Sequence, residues 1–496
     1  MAISFREFLL KIFENEKLIL TAFFIFCVFS FVYKLDAPYF FTDEILYTDA
    51  GNEYVASTFT KNLQHPLLAK YIVGGVSLFG PKDVYLSNVF YLRLPFALMG
   101  VISCYLIYRI IRDKYENFYL ALFGASWYLF LPFTYTATRM VMMEAPMHLF
   151  WLSFHLFFLR ALANGVLKNY LIAGVFIGLG LGTKMPTIIL FPFSLVVFFL
   201  FSKRKFTDLL AMYSVAGITF VLTYVHYLFV TKLWGLKQLY LAFRDTILAR
   251  NQEGKEHIVN DVVYKTSPWW YYLYHVKEKY HFIQVTVTVL GITFASIKRK
   301  KFVTYWLLFF LFETVFFQLI PLKAERYIST LEISLPFLVV IGTRWFLRRD
   351  FLGNNKTAVY ILVGVILVFY AQVFAQRVAQ EPTGYHALRN YIEKETQGFT
   401  EFKRVYIYGS VRSARWYKQN TAENMFEFSK NLEEVCPQLN EFTYVFFDKK
   451  DLVTAGNTVD IYSLVRKNAE KYYRNDIEGF EGYVKKEGVA ISVSCL

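Results

Sequence analysis

The sequence predicts an α-helical polytopic membrane protein with a small soluble α/β domain toward its C-terminal end. Three observations carry that prediction. Across 496 residues, 56% are hydrophobic and 20% aromatic, with a mean hydropathy of +0.34. The apolar residues fall in long continuous runs, unlike the alternating segments of roughly ten residues that build a membrane barrel. Helices satisfy every backbone group internally, as lipid requires. The net charge of +14 would suggest nucleic acid for a soluble protein, but here the basic residues cluster in short loops between apolar runs. That pattern is the orientation signal of membrane insertion.

Taken in order, residues 18–33 form the first crossing. The run lacks a small-residue cleavage site and leads straight into an acidic stretch, so it is expected to stay as a span. The acidic loop 36–88 then lies outside. One helix in it carries Asp43 and Glu44 along the membrane boundary, and a second, residues 68–79, is too short to cross. Crossings follow at 89–111, at 118–135 and from Glu144 onward, with Arg109, Arg112 and Lys114 marking an inner loop.

Residues 170–182 and 186–201 form a hairpin joined by Thr183-Lys184-Met185, and Gly174, Gly178, Gly180 and Gly182 allow close helix approach. Lys203-Arg204-Lys205 keeps the next loop inside. Residues 209–230 cross outward, and the following loop of roughly fifty residues is long enough to be functional. It contains Ser267-Pro268-Trp269-Trp270-Tyr271-Tyr272, readable as an interfacial aromatic belt or as the wall of a binding groove. Runs at 282–297, 303–322, 327–346 and 357–375 complete a count of about eleven crossings. An odd count puts the two ends on opposite sides.

After Arg377 the composition changes. A helical run at 385–396 and strand-like runs at 404–408, 443–447 and 489–493 predict a soluble α/β domain, placed outside by the topology. The expected division is therefore a transmembrane domain over 1–376 and an extracytoplasmic domain over 377–496. Cys27 and Cys104 fall in crossings and read as buried apolar residues. Cys436 and Cys495 fall in the outer domain, either as a disulfide in an oxidising compartment or as two free thiols.

The chain has no CxxC and no HExxH. His148 and His155 share one face of the fourth crossing and read as packing histidines. No P-loop or dinucleotide fingerprint is present, so a soluble nucleotide substrate is not indicated. What remains is one outer-face set: Asp43, Glu44, Lys70, Arg139, Glu144, Lys184, Lys323 and Arg326. A carboxylate beside hydrocarbon must turn to a polar cavity or to solvent, so Asp43-Glu44 reads as a site or as a solvated loop. Two carboxylates among several cations suit a transfer in which a base activates a hydroxyl while a phosphate leaving group is neutralised. A transporter or flippase of lipid-linked saccharide could use the same charges, though mid-span ionisable residues and repeat symmetry would be expected of it. A scaffold that recruits partners through the outer domain is a third reading.

Several motifs occur in a telling order: Asp43-Glu44, His65-Pro66 with Lys70, Arg93-Leu94-Pro95, Arg139 before Glu144-Ala145-Pro146, Gly178 to Lys184, Ser267-Pro268-Trp269 and Lys323 to Tyr327. In this order they resemble the GT-C glycosyltransferases, in the branch of protein O-mannosyltransferases and lipid A aminoarabinose transferases. The resemblance implies an inverting transfer from a polyprenyl-phosphate donor to an acceptor hydroxyl on the extracytoplasmic face, with a protein Ser/Thr, lipid or glycan as acceptor.

By the same resemblance Asp43 corresponds to the base and Glu44 to its companion. Lys70 and Arg139, with Lys323 and Arg326, correspond to donor phosphate binding, and His65, Glu144, Lys184 and Trp269 to substrate binding. Leu67 replaces the second proline of the mannosyltransferase form and Ala69 its glycine, which bears on the acceptor. A phosphate diester leaves well unaided, so no cofactor is called for and a divalent metal is compatible. The implied partners are the lipid-linked donor, the acceptor and membrane lipid, with no nucleic acid. The implied location is that of a multi-pass membrane protein, in the plasma membrane if the organism is prokaryotic.

Overall fold

The computed structural model describes residues 15–35, 42–79, 89–247, 257–259, 262–264, 266–280, 282–297, 300–320, 323–347, 364, 391, 404–408, 426–427, 442–448, 460–476 and 480–486. Up to residue 347 the architecture is helical. The chain begins with α1 (Glu16–Val32), whose first turn is capped by the Asn15 side chain accepting from the Leu18 N–H. Two helices outside the long apolar runs follow, α2 (Thr42–Val55) and α3 (Leu68–Phe79). The latter matches the expected short helix.

α2 and α3 pack against each other through glycines. A Cβ on Gly51 would lie 2.5 Å from the Lys70 carbonyl oxygen, and one on Gly74 would lie 2.2 Å from the Gly51 carbonyl oxygen. Only residues without side chains let the two backbones meet at this spacing. The contact sets the acidic helix against the helix that carries Lys70.

Next come α4 (Val89–Tyr115) and α5 (Phe118–Leu129), then α6 (Pro132–Thr138). The sequence predicted one crossing over 118–135, whereas α5 and α6 meet at a 70° bend. Pro132 has no N–H to continue the ladder. The freed amides of Phe133 and Thr134 donate instead to the buried Glu332 carboxylate, at 3.3 and 2.5 Å, and the Tyr280 hydroxyl donates to the same group. A carboxylate at the start of α6 supplies the acceptor that its first turn lacks.

α7 (Glu144–Asn164) ends on Gly165 in the left-handed conformation (φ 67°). α8 (Leu167–Thr183) leads through a 3-10 turn (Met185–Ile189) into α9 (Leu190–Phe201). This is the predicted hairpin. The expected role of its glycines is seen against α10 (Phe206–Leu222), where a Cβ on Gly178 would stand 2.5 Å from the Ala216 carbonyl oxygen. Close approach of this kind gives helices in lipid their dispersion contacts. The run predicted as a crossing over 209–230 is also broken, with a 52° bend between Phe206–Leu222 and Val225–Lys232. The latter opens α11 (Val225–Ile247).

A short hairpin of β1 (His257–Val259) and β2 (Val262–Tyr264) precedes α12 (Tyr271–Lys279), α13 (Phe282–Ile297) and α14 (Lys301–Leu319). A 3-10 turn (Glu325–Tyr327), α15 (Ile328–Leu331) and α16 (Leu335–Leu347) follow. The largest core is aromatic, with Trp306 stacked on Phe337 at 3.6 Å and His155 donating or accepting at Tyr305 Oη, 2.6 Å away. His148 meets Tyr128 Oη in the same way at 3.1 Å. Both rings pack as the sequence predicted. Cys27 and Cys104 are buried and free.

Among the described residues, three helices are long and apolar enough to cross a membrane, or five if each bent pair is one crossing. That is fewer than the eleven expected, because several apolar helices, Leu167–Thr183 and Met185–Phe201 among them, are shorter than a bilayer requires of a single straight helix. The expected crossing at 357–375, the helix at 385–396, the strand at 489–493 and both Cys436 and Cys495 lie outside the described residues.

Beyond residue 400 a five-stranded sheet has the order β4-β3-β5-β7-β6, built from β3 (Arg404–Tyr408), β4 (Phe426–Glu427), β5 (Phe442–Asp448), β6 (Tyr472–Arg474) and β7 (Phe480–Lys485). β3 runs parallel to β4 and β5, and β7 runs antiparallel to β5 and β6. The predicted strands at 404–408 and 443–447 are its centre. α17 (Asp460–Lys467) covers it by packing Tyr462 on Phe447 at 5.1 Å.

Replacing Gly74 with Val should force α2 and α3 apart, at a cost of about 1–3 kcal/mol. A lowered Tm in detergent checks this. Gly75→Ala is the control, since a Cβ there meets nothing within 4 Å, and its Tm should stay at or above that of the unaltered protein.

Candidate active site

The four polar groups that converge come from four parts of the chain. Asp43 lies in the first turn of α2 and Glu144 in the first turn of α7, where the helix dipole favours a negative side chain. Lys184 is the extended residue between α8 and the 3-10 turn at Met185, whose proline stops α8 from continuing. Arg326 stands in the 3-10 turn at Glu325–Tyr327. Together they form a row of alternating charge. Arg326 Nη1 is ion-paired with Asp43 Oδ2, its Nε lies 3.7 Å from Glu144 Oε1, and Lys184 Nζ reaches that same oxygen at 2.5 Å. Glu144 is 1% exposed on its side chain, whereas Asp43 and Arg326 are 21% and 25% exposed. The row is thus anchored at a sealed end and open at the Asp43 end.

Aromatic rings flank it. Lys184 Nζ stands 5.0 Å from the Tyr327 ring centre, with the Arg326 guanidinium 5.9 Å from the same ring, so the ring face adds to the cations' stabilisation. Tyr47, one turn along α2 from Asp43, is buried. Burial, and then the nearby charge of Glu144, holds its phenol well above the usual tyrosine range, so it stays a neutral hydroxyl. The His65 ring meets Tyr47 edge-on at 6.3 Å.

Glu44, adjacent in sequence, is employed differently. Its carboxylate accepts from Arg93 Nε and Nη2, both at 2.8 Å, and from the Val141 N–H at 2.8 Å. Arg93 Nη1 donates to the Leu35 carbonyl at 3.0 Å, and both side chains are fully buried. The pair therefore joins α2 to α4, to the chain leaving α1 and to the turn before α7. The sequence pointed to Glu44 as Asp43's companion; in the structure it anchors the helix that presents Asp43. Arg93 carried no assigned role in the sequence, although a cation inside an apolar run is itself a signal.

Lys70 and Arg139 are likewise occupied. Lys70 Nζ donates to the carbonyl oxygens of Asn62 (2.5 Å) and His65 (2.8 Å), and also lies 3.1 Å from Asn62 Oδ1 and 3.3 Å from Tyr54 Oη. Burial pulls its ammonium below the usual lysine range, and the surrounding oxygens replace the water it has lost. Lys70 thereby closes the loop between α2 and α3. Arg139 Nη1 donates to Tyr135 Oη at 2.6 Å, and its Nη2 donates to the carbonyl of Tyr33 and, at 2.9 Å, to that of Lys34. It satisfies the C-terminal end of α1, as orphan carbonyls require.

Lys323 stands three residues before Arg326. Its N–H donates to Ser267 Oγ at 2.8 Å, and its Nζ is 3.4 Å from the Ser267 carbonyl oxygen. Burial lowers its ammonium from the usual value. Trp269 is 73% exposed, and its carbonyl accepts from Gln318 at 3.1 Å. The structure thus brings Asp43, Glu144, Lys184 and Arg326 together, sets His65 beside Tyr47, and places Glu44, Lys70 and Arg139 in supporting contacts. Among the described residues no group of three or more His, Cys, Asp or Glu side chains is arranged to hold a metal.

Against known proteins, residues 64–229 match the family profile described as dolichyl-phosphate-mannose-protein mannosyltransferase. No curated protein matches the chain. The structure is similar to that of ArnT from Cupriavidus metallidurans bound to undecaprenyl phosphate, with a TM-score of 0.55 and 13% identity, covering 95% of this chain and 98% of that one. It is also similar to the archaeal oligosaccharyltransferase AglB from Archaeoglobus fulgidus in complex with an inhibitory peptide and a dolichol-phosphate. There the TM-score is 0.56 and the identity 13%, over 95% of this chain and 75% of that one. The fold is that of these ArnT and AglB structures.

Arg93→Met takes the neutralising charge from the buried Glu44 carboxylate, and should cost about 3–5 kcal/mol. Adding Glu44→Met should recover much of that loss, because the uncompensated charge is gone. Thermal unfolding of the two single variants and the double variant checks this; costs that simply add would show that the two groups are not coupled.

Proposed function

We propose that this protein is an integral membrane inverting glycosyltransferase that moves a sugar from a polyprenyl-phosphate donor to an acceptor hydroxyl on the extracytoplasmic face. The acceptor is a protein Ser/Thr or a lipid or glycan hydroxyl. The observation that carries this reading is the row Asp43, Arg326, Glu144 and Lys184. It puts one partly open carboxylate, suited to a base, against a cation with donors to spare, suited to a phosphate. The ArnT structure holding undecaprenyl phosphate and the matched mannosyltransferase profile support the donor class.

In this reading the donor's phosphate lies at Arg326 and Lys323. Lys70 and Arg139, the first candidates from the sequence, are engaged by backbone carbonyls, and using them for phosphate would open the α2–α3 loop or the end of α1. As the acceptor oxygen forms its bond to the anomeric carbon, its proton passes to the Asp43 carboxylate. The anomeric carbon–oxygen bond to phosphate breaks on the opposite face, and the electron pair leaves with polyprenyl phosphate. Arg326 and Lys323 neutralise the charge that develops there. Proton transfer is late, because the carboxylate is too weak a base to remove an alcohol proton before bond formation. Glu144, paired with Lys184, stands beside Arg326, Tyr47 and His65 line the acidic helix, and Trp269 offers an exposed ring to sugar or acceptor. The domain over 377–496 stands outside.

Purified protein given a panel of polyprenyl-phosphate sugars should release polyprenyl phosphate when a suitable acceptor is present. Asp43→Asn should lower that release by roughly 100-fold or more at an unchanged Tm. Near-native release by a folded Asp43→Asn variant would remove the base assignment. Movement of labelled donor across the bilayer with no new glycosidic bond would replace the transferase with a flippase.

A further inference from the structure

The guanidinium of Arg326 is under-used. It carries five N–H donors, yet among the described residues its polar contacts are the ion pair to Asp43 and the 3.7 Å approach to Glu144, and its buried Nε makes no hydrogen bond. Arg93, by contrast, spends all three nitrogens on protein oxygens. Arg326 also occupies the carboxylate that would have to receive a proton, and a carboxylate held by a guanidinium is a poorer base than a free one. The two facts have one resolution.

We propose that Arg326 is a latch on Asp43: it masks the carboxylate while the site is empty, and the donor's phosphate draws it away, so that loading the donor frees the base. This rests on the reading of the site as one for a lipid-linked phosphate. Phosphate oxygens can take a guanidinium in a two-bond fork, and so can compete with Asp43 for the Arg326 guanidinium, which it holds by an ion pair at Nη1. The move strands nothing, since Glu144 keeps Lys184 at 2.5 Å and Asp43 is open enough to meet the acceptor hydroxyl. Removing Arg93 from Glu44 would instead leave a fully buried anion, which is why one arginine is fixed and the other exchangeable. The latch would also keep the base closed to acceptor and water until a donor is in place.

Binding of undecaprenyl phosphate to the purified full-length protein in nanodiscs tests this without an acceptor. Arg326→Gln should weaken binding roughly tenfold. Asp43→Asn, which removes the competing partner, should tighten it about fivefold. The tightening should vanish when Asp43→Asn is placed in the Arg326→Gln background. If Arg326→Gln does not fold, Arg326→Lys takes its place, and there the gain should fall below half. A gain of equal size in both backgrounds would mean simple repulsion between Asp43 and phosphate, and no gain in either would mean no competition; each overturns the latch while leaving the donor reading intact. Failure of the unaltered protein to bind undecaprenyl phosphate would overturn the donor reading and the latch with it.

Discussion

The row of charges at Asp43 depends on an ion pair that lies apart from it, in the interior. Glu44 and Arg93 are both sealed from water, and a charge so placed is tolerable only when its partner and its remaining hydrogen bonds are complete. Arg93 fills Glu44 with two donors, Val141 adds a third, and Leu35 takes Arg93's other nitrogen. Four stretches of chain must therefore arrive together or the charges are stranded. The first residue of α2 to profit is Asp43, whose backbone is set by its neighbour.

A division of labour among the cations follows from the same physics. Lys70, Arg93 and Arg139 hold chain ends and loops: Lys70 gathers the carbonyls of Asn62 and His65, and Arg139 gathers those closing α1. Near lipid a backbone carbonyl without a donor is expensive, so long cationic side chains act here as caps. Arg326 differs because its partners are carboxylates, Asp43 at the open end of the row and Glu144 at the sealed end, the latter already neutralised by Lys184. Exchange needs a cation whose departure leaves no buried charge behind, and among these residues it is the one so placed.

Much of this was legible in the order of residues. The helical membrane class followed from long apolar runs, α3 and the hairpin around Lys184 appeared where glycine, proline and hydropathy put them, and the central strands at 404–408 and 443–447 stood out as strand-like runs. The breaks in the helices were harder to read. Pro132 and the turn after Leu222 interrupt runs that hydropathy joins, because a window average senses apolarity and not the loss of a backbone donor or the buried acceptor, Glu332, that rescues it two hundred residues later in the chain.

The sequence by itself determined which groups were available: acids in the first turns of α2 and α7, cations at the ends of apolar runs, and a small set of polar residues among them. It could not say which acid met which cation, since ion pairing is decided by distances of a few ångströms between segments far apart along the chain. Only the tertiary structure divided Asp43 from Glu44, giving the first to Arg326 at an open edge and the second to Arg93 in the interior. The physical reason is burial. Two adjacent carboxylates on one helix face different surroundings, and the one denied water must be fully paired, while the one that keeps some water is under no such demand.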